Sequence, residues 1–438
     1  MLDRNENVIV YSANRGKNHG VEYFAEKMIE SIEFASKSDD YNNFLSHIKS
    51  AFSEDWIAYK ALCKGVGIHH GLIPKYIQKE IIHFFNKGVI KILISTTTIT
   101  EGVNTSAKNL IVLHNKKGLK PLLPFDAKNI SGRAGRLGHH YSGNVFDLSN
   151  DFVETLEKNE EPLKHKSFDE NIDKNDIDIL YTDEKFLSLN DRERRKKIIQ
   201  AQKDRGIPKE ILSMYKMVSW SDKIQIYDSI TKLDLELRKV LDTFVEKNYQ
   251  FFRVFDLDGV QVILDIIEPI VTNANLLGLI QKKDKKERYS IICYYISDYL
   301  KKGLSGLIDF QCKSKDKDYD EAVQLSTKFV FSTLKYQIVK YFGAFNLMYK
   351  YIVSQERKMP IDDVPGIDRL LRYFEYNAVS EIGRKISDYG VPSKLITYYE
   401  EMDEKKGKEK SVYESFDNYE RKVFEKTKNL FVKSTDKE

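Results

Sequence analysis

"VGIHHGLIPKYIQKEIIHFFNKGVIKILIST", residues 66–96, sets two short β-branched runs around one helical stretch. Val66-Gly67-Ile68-His69 and Lys91-Ile92-Leu93-Ile94-Ser95 suit strands buried on both faces. Between them Pro74 fits the first turn of a helix, and Ile77, Ile81, Phe84 and Phe85 recur at helical spacing. A strand–helix–strand unit implies parallel strands joined by a crossover. The alternation continues outward. Val8-Ile9-Val10-Tyr11 is a strand candidate upstream, followed by a helical stretch with Val21, Phe24, Met28 and Ile32 on one face. Residues 42–62 read as a second helix. Leu110-Ile111-Val112-Leu113 and Gly143-Asn144-Val145-Phe146-Asp147 close the series. Residues 1–150 are therefore expected to form an α/β domain, a mostly parallel sheet with helices on both faces. Ligands of such sheets lie at the carboxyl ends of the strands.

The 438-residue chain is long enough for two or three domains. It is 41% hydrophobic, which supports a sizeable core, and 31% charged with a net charge of only +4. Net charge thus does not announce a nucleic-acid partner, although local patches can still serve one. Cys63, Cys293 and Cys312 are far apart and offer neither a disulfide framework nor zinc spacing. That usage fits a reducing, cytoplasmic setting. No apolar run approaches the ~18 residues of a membrane span, so no membrane partner is expected.

Three polar loops follow strands of the expected sheet. The first is Ser12-Ala13-Asn14-Arg15-Gly16-Lys17, just before a helix start, where spare N–H groups suit phosphate. The second is Thr96-Thr97-Thr98-Ile99-Thr100-Glu101-Gly102-Val103-Asn104, whose hydroxyls can meet phosphate or ribose oxygens. The third is "NISGRAGRLG", residues 129–138. Arg133 and Arg136 share one face if that segment is helical, and a guanidinium fork holds two phosphoryl oxygens at once. Gly132 and Gly135 remove side chains that would block a ligand. Each loop alone also reads as an ordinary turn. Their common order along one sheet gives the set its meaning. His69-His70 lacks a nearby acidic or Cys partner at ligand spacing, and adjacent strand residues point to opposite faces, so no metal site is expected.

Residues 1–150 resemble the second RecA-like domain of superfamily 2 (DEAD/DEAH) helicases, nearest to the Ski2-like group. "VIVYSANRG" resembles motif IV, "STTTITEGVNTSAKNLIVL" resembles motif V, and "NISGRAGRLG" resembles motif VI. Two positions depart from the pattern. Asn129 stands where the family usually has Gln, and Thr105-Ser106 stand where it favours Leu-Pro. The resemblance implies roles at matching positions. Arg133 and Arg136 would reach the γ-phosphate, one as an arginine finger. Gly102, Asn104, Asn129 and Gly132 would lie near the nucleotide. Ser12, Arg15, Thr96 and Thr98 would touch the nucleic-acid backbone, DNA or RNA.

The resemblance also implies a missing half. ATP in this family binds between two RecA-like domains, and the first supplies the Walker loop and the Mg²⁺-binding acids. The Gly-Lys pairs Gly16-Lys17 and Gly407-Lys408 lack the G-x-x-x-x-G-K-[ST] pattern. "DEAV", residues 320–323, follows no strand and sits in a helical stretch. The chain is therefore expected to be part of a longer protein, or a subunit whose partner carries the first domain, and inactive as an ATPase alone.

Beyond residue 150 the reading is coarser. Residues 151–235 are expected to hold a polar linker and a possible winged-helix module, with a basic run at 192–205 and a turn at Gly206-Ile207-Pro208. For that run, nucleic-acid contact and a solvated helix face stand level. Residues 236–438 are expected to be an α-helical domain with a charged tail that frays, and a possible protein-binding surface. Tyr289, Tyr294, Tyr295 and Tyr299 read as core in preference to base-stacking residues. Residues 371–402 look like a helical pair broken at Gly390-Val391-Pro392. Two functions follow: the C-terminal half of an ATP-driven helicase or translocase, or a stand-alone nucleic-acid-binding or scaffold protein with a degenerate motor.

Overall fold

The computed structural model describes residues 6–32, 38–100, 105, 107–135, 141–158, 174–251, 256–284, 286–403 and 407–431. The chain divides into two compact units that interleave along the sequence. The first comprises Met1–Lys164, Lys317–Thr327 and Ser380–Glu438, and the second His165–Asp316 and Lys328–Val379.

The first unit runs β1 (Val8–Tyr11), α1 (Val21–Ile29), α2 (Asp39–Ala51), α3 (Ile57–Cys63), β2 (Val66–His69), α4 (Lys75–Asn86), β3 (Ile92–Ser95), a 3₁₀ turn (Thr97–Thr100) and β4 (Asn109–Val112). A small hairpin, β5 (Lys116–Lys117) and β6 (Lys120–Pro121), precedes α5 (Pro124–Ser131), β7 (Asn144–Asp147) and α6 (Phe152–Glu157). The five main strands order as β2-β3-β1-β4-β7 and every pair is parallel. β1, β2 and β3 are buried at every residue, as their mostly apolar runs suit, with His69 and Ser95 the buried polar ends of β2 and β3. β7 is the exposed edge. This is the expected α/β RecA-like architecture, followed by a mostly helical region.

The expected helix over 42–62 is two helices. α2 ends at Ala51, and the Ser53 hydroxyl accepts the Asp55 N–H at 3.1 Å, a local turn that competes with helix continuation. The residues after 400 are expected to fray, yet α18 (Glu381–Tyr389), α19 (Ser393–Asp403), α20 (Glu409–Glu414) and α21 (Asn418–Phe431) belong to the first unit. The break at Gly390, with φ +82°, separates α18 from α19. The Tyr419 ring of α21 lies 5.3 Å from Phe44 and 4.8 Å from His47 on α2. Such aromatic pairs contribute about 0.5–1.5 kcal/mol each beyond area burial. Charge density in the sequence hid this apolar stripe of Phe416, Tyr419 and Val423, each buried.

The second unit is helical: α7 (Asp176–Tyr181), α8 (Leu189–Asp204), α9 (Lys209–Ser213), α10 (Trp220–Thr231), α11 (Leu235–Gln250), α12 (Leu257–Ile267), α13 (Ala274–Ile280) and α14 (Ile291–Lys315). After α15 (Tyr319–Lys328) come a π-helical stretch (Phe329–Ile338), α16 (Val339–Arg357) and α17 (Asp368–Tyr376). Trp220, Phe244, Ile263, Phe342 and Phe345 centre its core. Gly259 lets α12 close on α11, since a Cβ there would lie 2.3 Å from the Phe244 Cβ. Lys223 is fully buried and its Nζ donates to the carbonyls of Leu212 (2.6 Å) and Met214 (2.5 Å). It thereby satisfies carbonyls at the end of α9. Described residues 174–235, where a winged-helix module is expected, contain helices and no strand.

Candidate functional site

The strand register brings the loop starts onto one edge. Tyr11 pairs with both Ser95 and Val112, and His69 pairs with Ser95. The Ser12 N–H continues the ladder to the Ser95 carbonyl at 2.9 Å, and the Leu113 N–H to the Tyr11 carbonyl at 3.0 Å. Ser12, Thr96 and Thr98 therefore lie on neighbouring loops of one edge. Their side chains do different things. The Ser12 hydroxyl is fully buried and donates to the Asn14 carbonyl at 3.2 Å, so it shapes the turn. Arg15 is exposed, and Thr96 and Thr98 are half-buried.

Thr98 is held from below by His69, whose Nδ1 lies 3.0 Å from the Thr98 Oγ1. Burial pushes His69 down to about 4, with the neighbouring His70 adding to the effect. The imidazole is thus neutral at pH 7 and can accept at one nitrogen. The Thr96 and Thr98 hydroxyls lie 3.4 Å apart, and the Ser95 hydroxyl donates to the His69 carbonyl at 2.9 Å.

The third loop starts from α5. Pro124 sits in its first turn, Ala127 and Ile130 are buried, and the helix stops at Gly132. Asn129 is half-buried and Gly132 is exposed. The Arg133 guanidinium donates to the backbone carbonyl of Thr100, which ties the turn after α5 to the Thr-rich turn after β3. Arg133 thus lies beyond the helix end, and Gly135 adopts φ +69°. The shared helical face expected for Arg133 and Arg136 does not form at Arg133, because the left-handed residue between them ends any helix. Arg136, Gly102 and Asn104 lie outside the described residues.

Gly135 has a second task. A Cβ on it would fall 2.2 Å from the amide nitrogen of Gly143, and one on Gly143 would fall 2.5 Å from the Ala134 carbonyl carbon. The two backbones cross where neither position has room for a side chain. Gly135 therefore serves backbone packing, where the sequence suggests ligand access. Gly143 and the buried Glu22 are missed by sequence reasoning. Only the acidic first-turn position of Glu22 hints at it.

Other clusters are structurally committed. His47, Asp417 and Glu420 present ligand atoms within 4.8 Å of one another. His47 Nδ1 pairs with Asp417 at 2.7 Å and its Nε2 with the Tyr76 hydroxyl at 3.2 Å. Asp417 and Glu420 cap each other's backbone N–H groups at 2.8 and 3.0 Å. The cluster fastens the start of α21 to α2. Of the basic run, Arg192 and Arg195 donate to the carbonyls of Leu187 and Leu180, Arg194 pairs with Asp176 and Arg205 with Asp228. Lys196, Lys197 and Lys203 are exposed. Tyr299 is buried and Tyr295 half-buried, as a core reading requires, whereas Tyr294 is 41% exposed.

The five-stranded parallel RecA-like sheet carries the Thr-rich turn after β3 at its carboxyl edge, and the Arg-bearing turn after α5 reaches that turn through Arg133. Residues 3–138 match the helicase conserved C-terminal domain, and this part of the chain is similar to Ski2-like helicases of superfamily 2. It is 37% identical over 119 residues to Anti-bacteriophage protein B of Escherichia coli, covering 27% of this chain and 16% of that protein. It is 39% identical over 92 residues to Antiviral helicase SKI2 of Saccharomyces cerevisiae, covering 20% of this chain and 7% of that protein. An ATP-dependent DNA helicase of Caldivirga maquilingensis is 34% identical over 79 residues, 17% of this chain and 10% of that protein. The matches thus span a sixth or less of each of these relatives. Among the described residues no helix is long and apolar enough to cross a membrane.

Proposed function

We propose that this chain supplies the second motor domain of an ATP-dependent nucleic-acid helicase or translocase, with Arg133 and Arg136 facing the γ-phosphate of ATP bound against a first RecA-like domain. The observation that carries this reading is the Arg133–Thr100 contact, which joins the motif VI turn after α5 to the motif V turn after β3. Ski2-like and other helicase relatives support it. Arg15, Thr96 and Thr98 form one wall of a strand-binding groove, and Ser12 shapes that wall. The first domain, in the same polypeptide or a partner subunit, brings the Walker loop and the Mg²⁺ ligands. ATP closes the pair and hydrolysis reopens it, stepping along DNA or RNA.

The test is ATP turnover by the 438-residue chain alone, and again with a first RecA-like domain supplied. The chain alone should show none, and the pair should hydrolyse ATP in a nucleic-acid-stimulated way. Turnover by the chain alone, abolished by Arg136→Ala, would overturn the two-domain reading.

A further inference from the structure

The loop after β1 is fastened at two points by side chains outside the loop. Gly16 turns it at φ +97°, and a Cβ on Gly20 would lie 2.4 Å from the Arg15 carbonyl carbon, so the loop folds back on itself. The carboxylate of Glu22, only 3% exposed, sits beneath it. Its Oε2 accepts the Gly16 N–H. Its Oε1 accepts His70 Nε2 at 2.8 Å and the Gln324 side-chain amide at 3.1 Å. Three donors thus come from three segments: the loop, the end of β2, and α15. The His70 tautomer is set, because its Nδ1 accepts the Leu72 N–H at 3.2 Å and leaves the proton on Nε2. Burial pushes the Glu22 carboxyl up, but the His70 interaction and the Gly16 N–H outweigh it and hold the group below its ordinary value. A buried carboxylate so supplied with donors stays ionised.

α15 makes the second fastening. Its Asp320 accepts the Ile57 N–H at 2.7 Å with one oxygen and pairs with Lys17 at 3.2 Å through the other. Asp318 pairs with Lys17 at 3.3 Å. Ala322, Val323, Ser326 and Thr327 of α15 are buried. The charge of Lys17 is therefore engaged, while Arg15, immediately before these two fixed points, is exposed.

We infer that Glu22 is a positioning residue which, joined by Gln324 of α15, holds the Asn14–Gly20 loop so that Arg15 meets a nucleic-acid phosphate. The inference rests on the backbone-contact reading above. It makes a helix distant in sequence part of the strand-binding loop. Arg15 touches the phosphate, and Glu22 acts only through the loop.

The experiment measures binding of labelled oligothymidylate and oligouridylate to the 438-residue chain across a salt series, for Arg15→Ala, Glu22→Gln and the double variant. Losing one single-strand phosphate contact should flatten the log–log salt slope by about 0.7, a roughly fivefold weakening at 0.1 M relative to 1 M salt. Glu22→Gln keeps the side-chain shape but cannot accept from all three donors, so it should reproduce much of the Arg15→Ala loss. In the Arg15→Ala background it should add nothing. Gln324→Ala removes only the α15 donor and should weaken binding in the same non-additive way, which keeps the test open should Glu22→Gln unfold. Equal losses from Glu22→Gln with and without Arg15 overturn the positioning role. So does intact binding by Glu22→Gln where Arg15→Ala weakens it. A silent Arg15→Ala instead overturns the backbone-contact reading on which the inference stands.

Discussion

The Arg133 guanidinium rests on the backbone carbonyl of Thr100, 33 residues upstream. A γ-phosphate, carrying more charge than a backbone carbonyl, is the stronger acceptor for a guanidinium. In the enzyme with both RecA-like domains, Arg133→Ala and Arg136→Ala should each cut nucleic-acid-stimulated turnover by roughly 10³–10⁵, the usual worth of an arginine finger. Nucleic-acid affinity without nucleotide should hardly change. Arg133→Lys should rescue little, since a point charge does not reproduce a two-pronged contact. Normal hydrolysis by both alanine variants in steady-state assays would reduce the segment to a turn.

Binding to nucleic acid by the chain alone should be weak and without sequence preference, since its proposed contacts are to phosphates. Affinity should fall steeply with salt as counterions are released. Fluorescence anisotropy between 50 and about 300 mM salt checks this. A flat response would remove Thr96, Thr98 and Arg15 from the groove.

His69 gives the first unit a pH-dependent term. Its folded value of about 4 lies below its ordinary 6.5, so the unfolded chain takes up the proton first as pH falls. The contribution is fully present above pH 6.5 and is lost progressively towards pH 4, at most about 3 kcal/mol. Unfolding by urea at pH 7.5 and pH 5 should show this loss, and His69→Asn should flatten it. An unchanged pH slope in that variant would place the titration elsewhere.

Gly135→Ala and Gly143→Ala should each disrupt the turn after α5, because the backbones leave no room for a Cβ. Gly135→Ala also incurs strain at φ +69°. Each should cost ~2 kcal/mol or more by that mechanism, read as a lower thermal midpoint together with lost turnover in the two-domain enzyme. Retention of both would contradict the close crossing.

Much of the sheet is legible in the sequence, because β1 to β4 are short, largely β-branched and apolar stretches buried almost throughout. Two of the loops are legible for the same reason, since each follows a strand; the third follows α5 instead, where the sequence suggests a strand. The contacts that give them shape are not. Glu22 meets Gln324, and His47 meets Asp417, across 302 and 370 residues, and no local pattern announces partners so far apart. Gly135 is visible in the sequence while its reason, Gly143, is not. Residues 42–62 mislead because one serine turn interrupts an otherwise continuous helical pattern.

The interleaved path of the chain also has a temporal meaning. During synthesis β1 to β7 emerge well before α21, yet the aromatic face of α2 around Phe44 and His47 receives Tyr419 only when α21 has been made. Closing so long a loop is a late, entropically costly step. Until then α2 shows the cell an uncovered aromatic surface of the kind that chaperones hold and that aggregation exploits. The first unit is thus completed by its last helices, so that a ribosome stalling before residue 418 leaves the sheet's own flank open.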